Sequence, residues 1–291
     1  MPIAVRLSKT LDSVVDDLVA LTRSIDVYYK DYSGRGLVVL SPDHHWSDRT
    51  PSQQHTHLEI TRRYKQIVEL IAVLVRGGPP SLTRQLKDGD EHFSNWLELG
   101  SNWALSNDKD ANEEKIRRAA AELSAVVRVL SAGPREQLVL IPDTNSLLGS
   151  ADPTDYRGIA SQNSFEFLLL PTVLSELDRL KILHRNQDVR DKAKKIITRI
   201  KGWRAQGPLL DGVIVDKTIR VRALHNEPKV AESLSWLDAD NSDDRIIASV
   251  LHLQAMSPSA HVILVTGDIN LQNKADAAMV ETAEIDFEDK E

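Results

Sequence analysis

The chain has 291 residues, no cysteine, 41% hydrophobic and 27% charged residues, and a formal net charge of −7. That length suits two domains better than one, and the composition is that of a soluble globular protein with no membrane span. The lack of thiols excludes a disulfide scaffold, a thiolate zinc site and a cysteine nucleophile; the acidic balance excludes a globally basic nucleic-acid coat but leaves room for a local basic groove.

The start, Met1 to Leu11, has no basic segment followed by an apolar core, so it does not read as a secretory leader. With the missing cysteines, this sets the expectation of a cytoplasmic protein. Leu11, Val14, Val15, Leu18, Leu21 and Ile25 recur at helical spacing, with Ser8 as the expected N-cap. Ser33 to Gln54 reads as a loop holding a short strand at Leu37 to Leu40, and His44, His45, His55 and His57 read as loop residues. Pro51 argues against a helix between Arg49 and His55. Leu58, Ile60, Tyr64, Ile67, Val68, Ile71, Leu74 and Val75 predict a second helix, ended by Gly77-Gly78-Pro79-Pro80. Phe93, Trp96, Leu97 and Trp103 predict a third, with both tryptophans in the core. Ile116, Ala119, Ala120, Leu123, Val126, Val127 and Leu130 predict a fourth. Ser131-Ala132-Gly133-Pro134 then closes a helical domain, residues 1–133. Its apolar faces suit packing on the rest of the chain, a homodimer, or a regulatory protein partner.

Residues 134–291 alternate between strands and helices. Leu138 to Ile141, Phe165 to Leu170 and His261 to Val265 are apolar runs expected of strands buried on both faces. Helices are predicted over Thr172 to Leu183, Val189 to Trp203, Ser242 to Gln254 and Leu271 to Met279, and Val213 to Val215 with Ile219 to Val221 suggests a hairpin. This order predicts an α/β domain with a mainly parallel sheet, which places its ligand beyond the carboxyl ends of the strands. The excess acid lies here: 19 basic against 25 acidic residues follow Gly133, and 17 against 18 precede it.

Four acids fall where that rule wants them. Asp143 and Asp268 each follow a strand directly, Glu176 lies early in the next helix, and Asp243 with Asp244 opens another. Singly, each is an ordinary turn, cap or helix-start residue. As a set they would repel one another unless a hard divalent cation, Mg²⁺ or Mn²⁺, took oxygen ligands from them. Two such ions about 4 Å apart can activate a water and stabilise the leaving oxygen of a phosphodiester. No phosphate-cradling glycine loop is present, so nucleotide-driven chemistry is not indicated.

These residues resemble the PIN-domain nucleases, in their larger form, over a little over half the chain. Asp143-Thr144-Asn145 matches the acid after the first strand, and Thr172-Val173-Leu174-Ser175-Glu176-Leu177 matches the family's glutamate helix. Asp243-Asp244-Arg245-Ile246 matches the third acid and Thr266-Gly267-Asp268 the fourth. The resemblance implies a three-layer α/β fold and Mg²⁺- or Mn²⁺-dependent hydrolysis of single-stranded RNA. The expected products carry a 3′-hydroxyl and a 5′-phosphate; single-stranded DNA is the alternative substrate, and a silent RNA- or protein-binding module the alternative role. Asp143, Glu176, Asp243 and Asp268 are the expected catalytic ligands, Asp244 a secondary one and Asp240 a weaker third choice, with Asn145, Thr266 and Asn270 as polar neighbours. Phosphates, repelled by the acids, need a cationic track, for which Arg179, Arg190, Lys192, Lys195 and Arg199 are the candidates. Lys192, Lys195 and Arg199 can share one helical face above inward Ile196, Ile197 and Ile200; the alternative is a solvated face paired with Asp188 and Asp191. Trp203 suits a partly buried anchor better than a base-stacking platform.

Overall fold

The apolar stripe of the first helix reaches further back than Leu11. Ile3, Ala4 and Leu7 continue it at the same spacing and are fully buried, so α1 spans Ile3–Arg23 and Ser8 lies inside it rather than capping it. The structure, a computed structural model, describes residues 1–30, 42–133 and 137–285. The expected strand at Leu37 to Leu40, and Pro134 of the expected boundary, lie outside them.

β1 (Val27–Tyr29) pairs antiparallel with β2 (His44–Trp46), so His44 and His45 lie on a strand and not in a loop. α2 (Pro51–Val75) begins well before Leu58. Thr50 and Gln53 form a reciprocal cap, and Pro51 takes the first helical position, where an amide has no partner to lose. The proline that argues against a helix therefore starts one, and His55 and His57 are helical. α3 (Pro80–Leu97) and α4 (Lys109–Leu130) follow. Trp96 is buried, but Trp103 lies beyond α3 and is 70% exposed, contrary to the expected core position. Leu99 and Leu105 take the buried places of that connection instead.

The chain divides into two compact units, Ala4–Ala132 and Gly133–Glu291 with Met1–Ile3. The second unit contains β3 (Leu138–Pro142), α5 (Thr144–Gly149), α6 (Arg157–Ala160), β4 (Phe165–Leu169), α7 (Pro171–Leu183) and α8 (Gln187–Arg204). β5 (Val213–Val215), β6 (Ile219–Ala223), α9 (Ser242–Met256), β7 (His261–Val265), α10 (Ile269–Ala277) and β8 (Glu281–Ala283) complete it. Six strands form one sheet in the order β5-β6-β4-β3-β7-β8, parallel except for the β5–β6 hairpin. β3 and β4 are buried along their whole length, as continuous apolar runs between helical layers should be. The register pairs Ile141 with Leu264 and Pro142 with Val265, so β3 and β7 end side by side. From β3 the chain moves outward to β4 and β6; from β7 it moves the other way to β8. The order reverses between β3 and β7, which opens a crevice at their carboxyl ends. Among the described residues no helix is long and apolar enough to cross a membrane.

Candidate active site

Asp143 and Asp268 occupy the two lips of that crevice because each ends its strand by capping the next helix. Asp143 Oδ1 accepts the Ser146 amide at 2.6 Å, and Asp268 Oδ1 accepts the amides of Asn270 at 2.8 Å and Leu271 at 3.2 Å. Capping thus commits one oxygen of each. Thr266, fully buried, links them: its hydroxyl donates to Asp143 Oδ2 at 2.5 Å and accepts the Asp268 amide at 3.0 Å. Ser146 locks the same corner by donating to the Val265 carbonyl at 2.9 Å. Asp143 is 3% exposed, so this hydrogen bonding is what allows it to be buried.

Glu176 comes from α7 and accepts a hydrogen bond from the Thr144 hydroxyl. Asp243 comes from the first turn of α9, whose cap, Asn241, accepts the amides of Asp243 and Asp244. Asp143, Glu176, Asp243 and Asp268 line one cleft of about 240 Å³, with Thr144, Asn145, Arg179, Leu180, Ile246 and Leu271 as its remaining walls. The expected four acids, from four separate elements, therefore meet. Asn145 is exposed at the rim, and Asn270 lies in an adjoining hollow rather than in the cleft.

Asp244 does not line this cleft. It turns inward, 5% exposed, where Oδ2 accepts the Asp238 amide at 2.9 Å and Oδ1 lies 2.7 Å from Lys274 Nζ. Asp240 is exposed and also outside the cleft. Lys274 of α10 is the functional neighbour that the pattern of acids leaves unseen. Its ammonium stands 3.6 Å from Asp243 Oδ2 and 3.2 Å from Asn241 Oδ1, tying the start of α9 to α10. The one available signal is that it is the sole basic residue in a helix that follows the last acid. Burial, with Asp268 and Asp244 nearby, raises the Asp243 carboxyl above its ordinary range despite the opposing Lys274. Burial works against the charge on Lys274, but Asp244 and Asp243 outweigh it and hold its pKa above the usual value.

Of the expected cationic track, only Arg179 lines the cleft, and its guanidinium has no ion pair among the described residues. Arg190 instead closes the α7–α8 connection, donating to the carbonyls of His184 and Arg185. Lys192 and Lys195 are exposed on α8 above buried Ile196 and Ile200, while Arg199 pairs with Asp152 at 3.0 Å and Lys194 with Asp191 at 3.3 Å. Trp203 is 7% exposed, an anchor rather than a stacking platform. Asp152 also caps the turn at Thr154. Burial opposes ionisation of its carboxyl, but Thr154 and Arg199 prevail and lower the pKa. Its stabilising contribution is present above the unfolded pKa and is lost as pH falls through the lower folded value. Asp152→Asn keeps a competent cap and removes the charge, so it is expected to lower Tm by about 1–2 °C at pH 7, with a smaller difference near pH 3, in paired melting curves.

The donors suit Mg²⁺ or Mn²⁺ in kind: four carboxylates and an amide, all oxygen, with no sulfur or imidazole in the cleft. Among the described residues no three acidic or imidazole side chains are arranged to hold an ion directly. A small hard cation retains several waters, so carboxylates spaced around an open cleft still fit it.

The model of one family, the PIN domain, matches residues 140–286. No curated protein matches the chain. A solved domain of a functionally unknown protein from Methanocaldococcus jannaschii DSM 2661 is similar over 53% of this chain and 95% of its own, at 16% identity and a TM-score of 0.33.

Proposed function

Because this chain belongs to the PIN-domain family, whose members are typically nucleases, we propose that its C-terminal unit is a metal-dependent endoribonuclease that hydrolyses single-stranded RNA. The observation that carries this reading is the meeting of Asp143, Glu176, Asp243 and Asp268 in one cleft at the point where the strand order reverses. These four acids would hold the cation, in part through the waters it keeps. Magnesium or manganese, when bound, supplies the positive charge that receives a phosphodiester and acidifies the attacking water.

The protein's own part is positioning. Thr266 and Ser146 hold Asp143, Thr144 holds Glu176, and Lys274 holds the start of α9. Asp244 acts through Lys274 rather than on the cation. Leu180, Ile246 and Leu271 give the acids an apolar wall, which strengthens their attraction for a cation. Arg179 attracts the backbone at the mouth, and Lys192 and Lys195 extend that attraction along α8.

The test is cleavage of defined RNA and DNA oligonucleotides with Mg²⁺ or Mn²⁺, followed by analysis of the ends. The expected products from RNA carry 3′-hydroxyl and 5′-phosphate groups, and chelation with EDTA stops the reaction. A 2′,3′-cyclic phosphate would overturn water attack. Equal cleavage of DNA would remove the RNA preference, and binding without cleavage under either metal would favour a silent binding module.

A further inference from the structure

We propose that the hollow beside the acid cleft receives the base next to the scissile phosphate and selects guanine; this rests on the nuclease reading and adds a specificity site to it. The hollow measures about 440 Å³ and is lined by Asn145, Ser146, Gly267, Asp268, Ile269, Asn270, Glu284 and Ile285. It shares Asn145 and Asp268 with the cleft, so the two spaces adjoin at a proposed cation-holding carboxylate. A nucleotide whose phosphate sits at the acids has its base within reach of this hollow.

Ser146 and Asp268 serve the fold, while three exposed polar groups of the hollow are open to a ligand. The side-chain amides of Asn145 and Asn270 and the carboxylate of Glu284 have no hydrogen bond or ion pair among the described residues. Glu284 lies against Gly267: a Cβ there would stand 2.9 Å from Glu284 Oε1 and 3.4 Å from its Cδ. Any side chain at 267 would push that carboxylate away from the end of β7. Ile269, at the start of α10, is 72% exposed and offers an apolar surface to the face of a base.

The chemistry of the groups then chooses the base. A carboxylate only accepts, and it repels phosphates, so what enters must present donors. Guanine carries two adjacent donors on its pairing edge, N1–H and the N2 amino group, which match both oxygens of Glu284. Its O6 accepts from an asparagine amide. Adenine, cytosine and uracil set an acceptor beside their single donor group on that edge, and the carboxylate repels it.

The experiment titrates the full chain with the four nucleoside 5′-monophosphates by NMR, with and without Mg²⁺, for the native protein and Glu284→Gln. In parallel it maps cleavage of a randomised single-stranded RNA. GMP is expected to bind at least about tenfold tighter than the other three, and Glu284→Gln, with an unchanged Tm, to remove most of that margin. Cut sites are expected to carry guanine at one flanking position in the native protein and to lose that bias in the variant. Binding of all four within about twofold, or a preference unaffected by Glu284→Gln, would overturn the guanine site. Cleavage without base bias would remove the site and leave the nuclease standing. A GMP preference with no cleavage under Mg²⁺ or Mn²⁺ would remove the nuclease and leave the site.

Discussion

Asp143→Asn and Asp268→Asn are each expected to lower the cleavage rate by about a thousandfold or more while the protein stays folded. The rate loss follows from removing a charged oxygen from the group proposed to hold the cation, worth several kcal/mol at the transition state. The fold survives because asparagine caps a helix as well as aspartate does, so Ser146 keeps its acceptor in one variant and Asn270 and Leu271 keep theirs in the other. The difference between the two variants is informative. Asp143 is buried and also accepts from Thr266, so Asp143→Asn disturbs one further hydrogen bond, costing about 1 kcal/mol, or about 2–4 °C in Tm. Asp268 has no such second commitment, and its variant is expected to melt within about 1 °C of the native protein. Cleavage assays and melting curves on the same preparations check both points. Native-like cleavage by both variants would remove these acids from the mechanism.

The second large effect concerns stability. Lys274→Met leaves the Asp244 carboxylate without its cation, and that side chain is only 7% exposed. Breaking a buried pair from one side costs about 3 kcal/mol, because the remaining charge is desolvated and unpaired; Tm is expected to fall by about 6–12 °C. The double variant Lys274→Met/Asp244→Asn should recover most of the loss, since an amide at 244 still accepts the Asp238 amide and carries no charge to strand. Metal binding by calorimetry separates the roles: the double variant, with Asp243 intact, should bind Mn²⁺, whereas Asp243→Asn should not. A single Lys274→Met variant that melts like the native protein would show the pair to be ornamental.

Much of the PIN-domain unit was legible along the chain because its central strands are buried on both faces. Such strands read as uninterrupted apolar runs, and the acid that follows each one marks the carboxyl edge. The short elements were not legible. α5, α6, β1, β2 and β8 are too brief to display a period, and β8 is only half buried. The start of α2 was hidden because its first two turns are mostly exposed and carry no apolar stripe; the Thr50–Gln53 cap marks it instead.

The site divides along similar lines. Types and order of acids belong to local sequence: each caps or opens an element, a role set by the residues next to it. The choice of Asp243 over Asp244 rested there on the family resemblance alone, because adjacent helical positions point about 100° apart and both carboxylates are alike. Packing decided it. α9 rests against α10 so that Lys274 draws Asp244 inward, leaving Asp243 at the cleft. The same packing assigned Thr266 to Asp143 and Thr144 to Glu176, contacts between distant residues that no spacing encodes, because they exist only once β7 lies beside β3 and α7 beside α5.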